Sequence, residues 1–219
     1  MRDEDDAIRK IVAPTLREKG YFVRTAVRLD NIYKKMKTEE VLSSKEMKIE
    51  HPFHPDIDIF YWNKECPFGE PPLFAAEVKY FRMKAGEVYP SIYQGLDEAL
   101  MLMTFGFNYV TLLHLLDPEI PSGVRQQYKT IMTDIARPDM LGINYCSWTL
   151  EQTTNASPKE QNAGKSSYLG TIHEMLSTLQ RNQLFNSLTV PASSNPLMHT
   201  DYGQTIRSII KKYYRIISK

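Results

Sequence analysis

The run Tyr109-Val110-Thr111-Leu112-Leu113-His114-Leu115-Leu116 constrains the fold of this chain more than any other stretch. It is apolar except at Thr111 and His114 and has the length of a strand, the pattern of a strand buried on both faces. The segments around it supply elements for both layers. Ile8, Ile11, Val12 and Leu16 recur at helical spacing behind an acidic first turn, with Gly20 as a C-terminal stop and Pro14 arguing against a straight helix. Residues 21–27 are rich in aromatic and β-branched side chains and read as a strand, and the charged stretch 30–50 reads as a loop or short helix. Ile57, Ile59 and Tyr61 alternate with Asp58, Phe60 and Trp62, which predicts a second strand, and residues 73–80 its neighbour.

From Ser91 the period changes. Leu96, Ala99, Leu100 and Met103 predict a helix stopped by Gly106, and Tyr128, Ile131, Met132 and Ile135 another after the apolar run. Residues 141–150 form the last strand. The order helix, three strands, helix, strand, helix, strand predicts an α/β fold, a mixed central sheet flanked by helices. Residues 1–150 are expected to form this core and residues 151–219 a C-terminal helical extension. That extension opens with a polar loop over 152–167, continues into a helix over 168–182, and ends in an amphipathic helix carrying Ile206, Ile209, Ile210, Tyr213, Ile216 and Ile217. The terminal stripe is expected to pack on the body or on a second copy of the chain, as in a homodimer.

Bulk properties exclude several classes. A net charge of +1 over 219 residues is neither the basic body of a non-specific DNA binder nor an acidic tail, so any grip on phosphates must be local. Cys66 and Cys146 are too few and too far apart for a disulfide framework or a zinc knuckle, which points to a reducing cytoplasm. The acidic start Asp3-Glu4-Asp5-Asp6 lacks the features of a signal peptide, and no apolar stretch approaches the ~20 residues a membrane span needs, so no membrane partner is expected.

Chemistry concentrates in two neighbouring strands. In Asp56-Ile57-Asp58-Ile59 and Glu77-Val78-Lys79, side chains two apart share a face, so Glu77 and Lys79 project together, as do Asp56 and Asp58. If the strands pair as a hairpin, the carboxylates and one ammonium converge. Hard oxygen ligands of this kind hold Mg²⁺ or Mn²⁺, which lowers the pKa of a bound water and offsets charge on a phosphoryl transition state. A lysine beside them orients the water or donates to a phosphate oxygen. A Glu-x-Lys tripeptide alone carries little information. Here it follows Leu73-Phe74-Ala75-Ala76, and charges within such apolar runs are costly unless satisfied. The bland alternative is a structural ion-pair network.

Pro55-Asp56 or Asp58, then Glu77-Val78-Lys79, then a helix opening with Tyr93-Gln94-Gly95-Leu96-Asp97-Glu98, resembles the PD-(D/E)XK nuclease superfamily. The resemblance covers roughly residues 1–150 and implies a restriction-endonuclease-like αβββαβ core. It implies metal binding and catalysis by an Asp, Glu77 and Lys79, with Gln94 added from the following helix and an acidic residue, Glu4, Asp5 or Asp6, from the first. It also implies nucleic acid as partner, DNA rather than RNA. The Asp is open between Asp56, which fits the literal Pro-Asp pair, and Asp58, which lies deeper in the strand and is favoured. The gap to Glu77 is longer than in compact members.

Arg82 and Lys84 follow the Glu-x-Lys strand closely enough to touch a nucleic-acid backbone, and Lys34, Lys35 and Lys37 offer a second basic patch. Gly95 within a helix costs roughly 1 kcal/mol relative to alanine and allows close approach either of the Lys79 strand or of a nucleic-acid backbone, with chance as the bland alternative. His51 and His54 shape a turn or shuttle protons, His114 is a core histidine, and His173 and His199 lack partners at zinc-ligand spacing. Arg207, Lys211, Lys212, Arg215 and Lys219 follow Asp201 with no acidic residue between, where DNA or a partner could meet them. Two other readings stay open: a nucleic-acid-binding or scaffold protein that keeps the fold without hydrolysis, and an enzyme of different chemistry using the same carboxylates.

Overall fold

The computed structural model describes residues 3–49, 56–63, 70–136, 141–150, 178–191 and 194–216. His51, His54, His173, Cys66, Lys219, the loop over 152–167 and the first part of the helix expected over 168–182 lie outside these residues. The chain opens with a helix in three consecutive pieces: α1 (Asp3–Ala7), a π-helical segment (Ile8–Val12) and α2 (Ala13–Glu18). The widened turn precedes Pro14, which has no N–H to donate and whose ring would strike the carbonyl four residues back, so the helix opens to accommodate it. Then come β1 (Tyr21–Val27), α3 (Leu29–Thr38), a 3₁₀ turn at Glu46–Lys48, β2 (Ile57–Asn63), β3 (Phe74–Lys84), β4 (Glu87–Tyr89), α4 (Leu96–Thr104), β5 (Tyr109–Leu116), α5 (Ser122–Ile135), β6 (Asn144–Thr149), α6 (Thr178–Thr189) and α7 (Asp201–Tyr214).

The fold is α/β. The strands form an open mixed sheet of order β1-β2-β3-β5-β6, with β4 folded back on the end of β3. β1, β2 and β3 pair antiparallel, whereas β3–β5 and β5–β6 are parallel. β5 lies inside the sheet between β3 and β6, and every residue from Val110 to Leu116 is buried, which accounts for its apolar run. Its odd and even positions serve separate cores. Val110 and Leu112 join Phe60, Ala75 and residues of α3, α4 and α7 on one face. Leu113 and Leu115 join Ile59, Tyr61, Val78, the first helix and α6 on the other.

Three local features complete the fold, the first of them beside the site. The stretch 91–95, expected to be helical, is a turn, and α4 begins only at Leu96 because Gly95 adopts φ +89°. The charged stretch after β1 forms α3, whose Leu29, Ile32 and Met36 are buried at intervals of three and four. β4, which carries no period of its own to reveal it, pairs with the last residues of β3 across the tight turn at Ala85 and Gly86.

Residues 178–216 hold to both faces. Tyr61 donates its hydroxyl to the carbonyl of Leu188 at 2.8 Å, tying α6 to β2. Buried Asn195 donates to the carbonyls of Met103 (2.7 Å) and Phe107 (2.8 Å), which fixes the approach to α7. α7 then passes so close to the end of α4 that a Cβ at Gly106 would lie 2.0 Å from the carbonyl oxygen of Gly203. No helix among the described residues is long and apolar enough to cross a membrane.

Candidate active site

β2 and β3 pair only through Ile59–Ala76, Phe60–Ala75 and Tyr61–Phe74. Beyond that point they part, while β3 stays bound to β5 as far as Phe81. Where the strands part, the N–H of Val78 is satisfied by a side chain, donating to Asp58 Oδ2 at 2.9 Å. Glu77 and Lys79 project from β3 on the face that carries Ala75, toward α4. Lys79 Nζ contacts Glu77 Oε1 directly and lies 2.5 Å from Glu98 Oε2 of α4. It also lies 3.6 Å from Glu4 Oε1 of α1, whose helix packs mainly on the opposite face of the sheet. Gly95 makes the fit possible, since a Cβ there would stand 2.9 Å from Lys79 Cγ and 3.1 Å from Leu112 Cδ1.

The cluster therefore joins Asp58, Glu77, Lys79, Glu98 and Glu4. Glu77 is 1% exposed and Lys79 5%, while the side chains of Glu4 and Glu98, 24% and 37% exposed, open the cluster to water. Crowded carboxyls cannot all ionise in a dry site. Burial, a hydrogen bond with Glu98 and the charge of Asp58 push the Glu77 carboxyl up to about 11, so it holds a proton at neutral pH. Burial also raises Asp58, against the pull of the Val78 N–H and Lys79. Glu4 is raised to about 7, chiefly by burial and opposed by Lys79. Burial disfavours the charge on Lys79, but Glu77, Glu98 and Glu4 more than offset it and the ammonium stays protonated.

The site's chemistry fits a hard cation. Both Glu77 carboxyl oxygens are buried and neither accepts a well-directed hydrogen bond, although the Lys79 ammonium lies against Oε1. Oxygen donors of Asp58, Glu77, Glu98 and Glu4 are the set that Mg²⁺ or Mn²⁺ prefers. Among the described residues, no three Asp, Glu, His or Cys side chains are already gathered about a point that could hold an ion. Instead the Lys79 ammonium sits among the carboxylates.

Other residues singled out from the sequence are placed differently. Asp56 lies outside β2, half-exposed, and pairs with Arg28 at 3.4 Å instead of entering the cluster. Gln94 is exposed in the turn before α4, not on its first turn. Arg82 and Lys84 fall by alternation on the face of β3 opposite Glu77 and Lys79, within the β3–β4 hairpin, where Lys84 Nζ lies 4.9 Å from the centre of the Tyr89 ring. His114 pairs in register with Lys79 and is buried. Burial lowers its pKa to about 3, so the ring is neutral, with Nδ1 3.3 Å from the Tyr145 hydroxyl.

Glu98 is the site residue that sequence reasoning missed. The stripe Leu96, Ala99, Leu100 and Met103 predicts an inward Leu100, but Leu100 is 38% exposed, whereas Leu102 is fully buried. With Leu102 on the inner face, Glu98 falls one turn before it on the same face, a carboxylate directed into the core. Comparisons with protein-family models, with curated proteins and with solved structures found no match.

Proposed function

We propose that this chain is a divalent-metal-dependent nuclease of the PD-(D/E)XK class that hydrolyses nucleic-acid phosphodiester bonds, with DNA as the expected substrate. The observation that carries the reading is the Lys79 ammonium lodged between Glu77 and Glu98, beside Asp58, at the point where β2 and β3 separate. The element order from the first helix to β6, with parallel β3 and β5, supports a restriction-endonuclease-like core. So does an acidic side chain, Glu4, reaching the site from the first helix.

Asp58, Glu77 and Glu98 would hold the ion, with Glu4 at the open side. With an ion held there, these residues would have beside them a water of lowered pKa and positive charge to offset the phosphoryl oxygens. Glu77 must release its proton to become a ligand, so metal affinity rises with pH. Lys79, drawn away from Glu77, can donate to a non-bridging phosphate oxygen or orient the attacking water. Glu4, titrating near 7, is suited to take up a proton from that water. In the step the water oxygen bonds to phosphorus as its proton passes to Glu4, the P–O bond to the leaving strand breaks with its electron pair going to the leaving oxygen, and that oxygen takes a proton from solvent.

The test is cleavage of DNA by the purified protein with Mg²⁺ or Mn²⁺. Activity should disappear with EDTA, and Lys79→Ala should lose turnover while keeping DNA binding. Equal cleavage by wild type and Lys79→Ala would sink the reading. DNA binding without cleavage by any divalent ion would favour a nucleic-acid-binding or scaffold protein instead.

A further inference from the structure

A groove of about 760 Å³ runs alongside α7, lined by Asn108, Gln204, Arg207, Ser208 and Lys211 among others. It is remote from the carboxylate cluster. Asn108 precedes the first residue of β5, whereas His114, the register partner of Lys79, lies well along that strand. At the rise of a strand the separation is ~20 Å.

Arg207, Lys211 and Arg215 recur every four residues and line the groove, and Lys212 joins them. Like charges at this spacing repel along a helix, so the row is unfavourable without negative charge against it. Among the described residues, two carboxylates meet these four cations. Lys212 Nζ lies 2.6 Å from Glu46 Oε2, a carboxylate already committed to Ser43 and Ser208. Glu70 contacts Lys211 directly and lies 4.0 Å from Arg207 Nη2.

The two sides of this contact are built differently. The Lys211 and Arg207 side chains are 13% and 16% exposed, that of Glu70 56%. Arg207 is held by its Nη1, which donates to the carbonyl of Gly106 at 3.1 Å, so its other nitrogen is directed toward the groove. Burial lowers the pKa of both cations, a sign of desolvated charge. The cations thus belong to the wall, and the carboxylate facing them stands at the open side, where an incoming anion can displace it.

We infer that this groove is an anion site that takes a phosphate group, carried by a nucleotide or by a nucleic-acid strand, with Glu70 as the resident it displaces. A phosphate monoester carries roughly −1.5 to −2 at neutral pH and offers three acceptor oxygens, and a strand presents one charge on each of its successive diester phosphates, against one charge and two oxygens for a single carboxylate. It therefore suits a site with two cations in excess. The inference stands apart from the nuclease reading, because no residue of the groove belongs to the carboxylate cluster.

The experiment uses the full chain in EDTA, so that neither cleavage nor metal enters. Inorganic phosphate, adenosine 5′-monophosphate and a short single-stranded oligonucleotide are titrated by calorimetry into wild type, Glu70→Gln, Lys211→Gln and Arg215→Gln. Glu70→Gln should tighten binding severalfold, and Lys211→Gln should weaken it by about tenfold or more, the loss expected for one charge-assisted hydrogen bond. Thermal melting of each variant checks that it is folded; if Lys211→Gln is not, Arg215→Gln, at the exposed end of the row, carries the same expectation. Tighter binding of the oligonucleotide than of the nucleotide assigns the site to a strand, and the reverse to a free nucleotide. The inference is overturned if no phosphate-bearing probe binds, if folded cation variants bind as wild type does, or if Glu70→Gln weakens binding.

Discussion

Replacing Glu77 with glutamine should make the metal-free protein more stable at neutral pH while abolishing its response to metal. In the folded chain the Glu77 carboxyl is pushed up to about 11 by burial, Glu98 and Asp58, from an ordinary 4.5. It is therefore protonated when folded at pH 7 and ionised when unfolded. Because the folded value is the higher one, wild type loses stability relative to an untitratable glutamine as pH climbs above 4.5. The slope is ~1.4 kcal/mol per pH unit, which limits the difference at pH 7 to roughly 3 kcal/mol. Relaxation around the cluster reduces this, so about 1–3 kcal/mol is expected, or roughly 2–10 °C in melting temperature for a chain of this size. Lys79 keeps Glu98 and Glu4 as partners in the variant, so its charge is not stranded.

The assay is thermal denaturation in EDTA from pH 4.5 to 8. The two proteins should melt alike near pH 4.5 and diverge steadily above it, with the variant the more stable. Mn²⁺ should then reverse the order, since a ligand at a hundredfold its dissociation constant adds about 2.7 kcal/mol to the protein that binds it and nothing to the one that does not. A glutamine variant less stable than wild type by more than about 1 kcal/mol at pH 7 in EDTA would refute the reasoning. It would mean that Glu77 is ionised and paired with Lys79, a structural ion pair instead of a carboxyl held ready for a metal.

Gly95→Ala should lower the melting temperature and impair cleavage together. The left-handed backbone alone costs about 1–2 kcal/mol, and the new Cβ would meet Lys79 Cγ at 2.9 Å; a variant that melts and cuts as wild type does would show that Lys79 is not held there. Glu46→Gln should destabilise by about 1–2 kcal/mol at neutral pH. Burial works against the Glu46 charge, but hydrogen bonds from Lys212, Ser43 and Ser208 more than offset it and hold the carboxyl down at about 2. Its contribution is complete above pH 4.5 and is lost as pH falls toward 2, so urea unfolding of the two proteins should converge in acid. Gln94→Ala should leave melting within about 0.5 kcal/mol and cleavage unchanged, since Gln94 is exposed in the turn before α4; a selective loss of cleavage would return its amide to the site.

Local periodicity made the sheet legible, and long-range register decided what the sheet brings together. Alternation alone could put Glu77 and Lys79 on one face of β3, because the period of a strand is two. The same alternation separates Arg82 and Lys84 from them, although nearness in sequence had suggested a shared site. Asp56 and Asp58 stand two apart and share a face by alternation, with Asp58 favoured as the deeper; only Asp58 lies within β2 at the point where β3 leaves it, and Asp56 turns to Arg28. Helical residues were harder to place. The four-residue window around Leu100 and Leu102 offers two apolar stripes, and only packing chooses the one that turns Glu98 inward. Gln94 was lost because one glycine at φ +89° delays the helix to Leu96. The groove beside α7 was half visible, since its cations are adjacent in sequence, but Glu70 lies 141 residues from Lys211 and Glu46 166 from Lys212. No pattern within a helix reveals a counter-ion so distant. A charge row that repels itself along a helix is nonetheless a sign that something negative must meet it. The chain provides part of that charge, and the exposed Glu70 carboxylate marks where a phosphate would supply the rest.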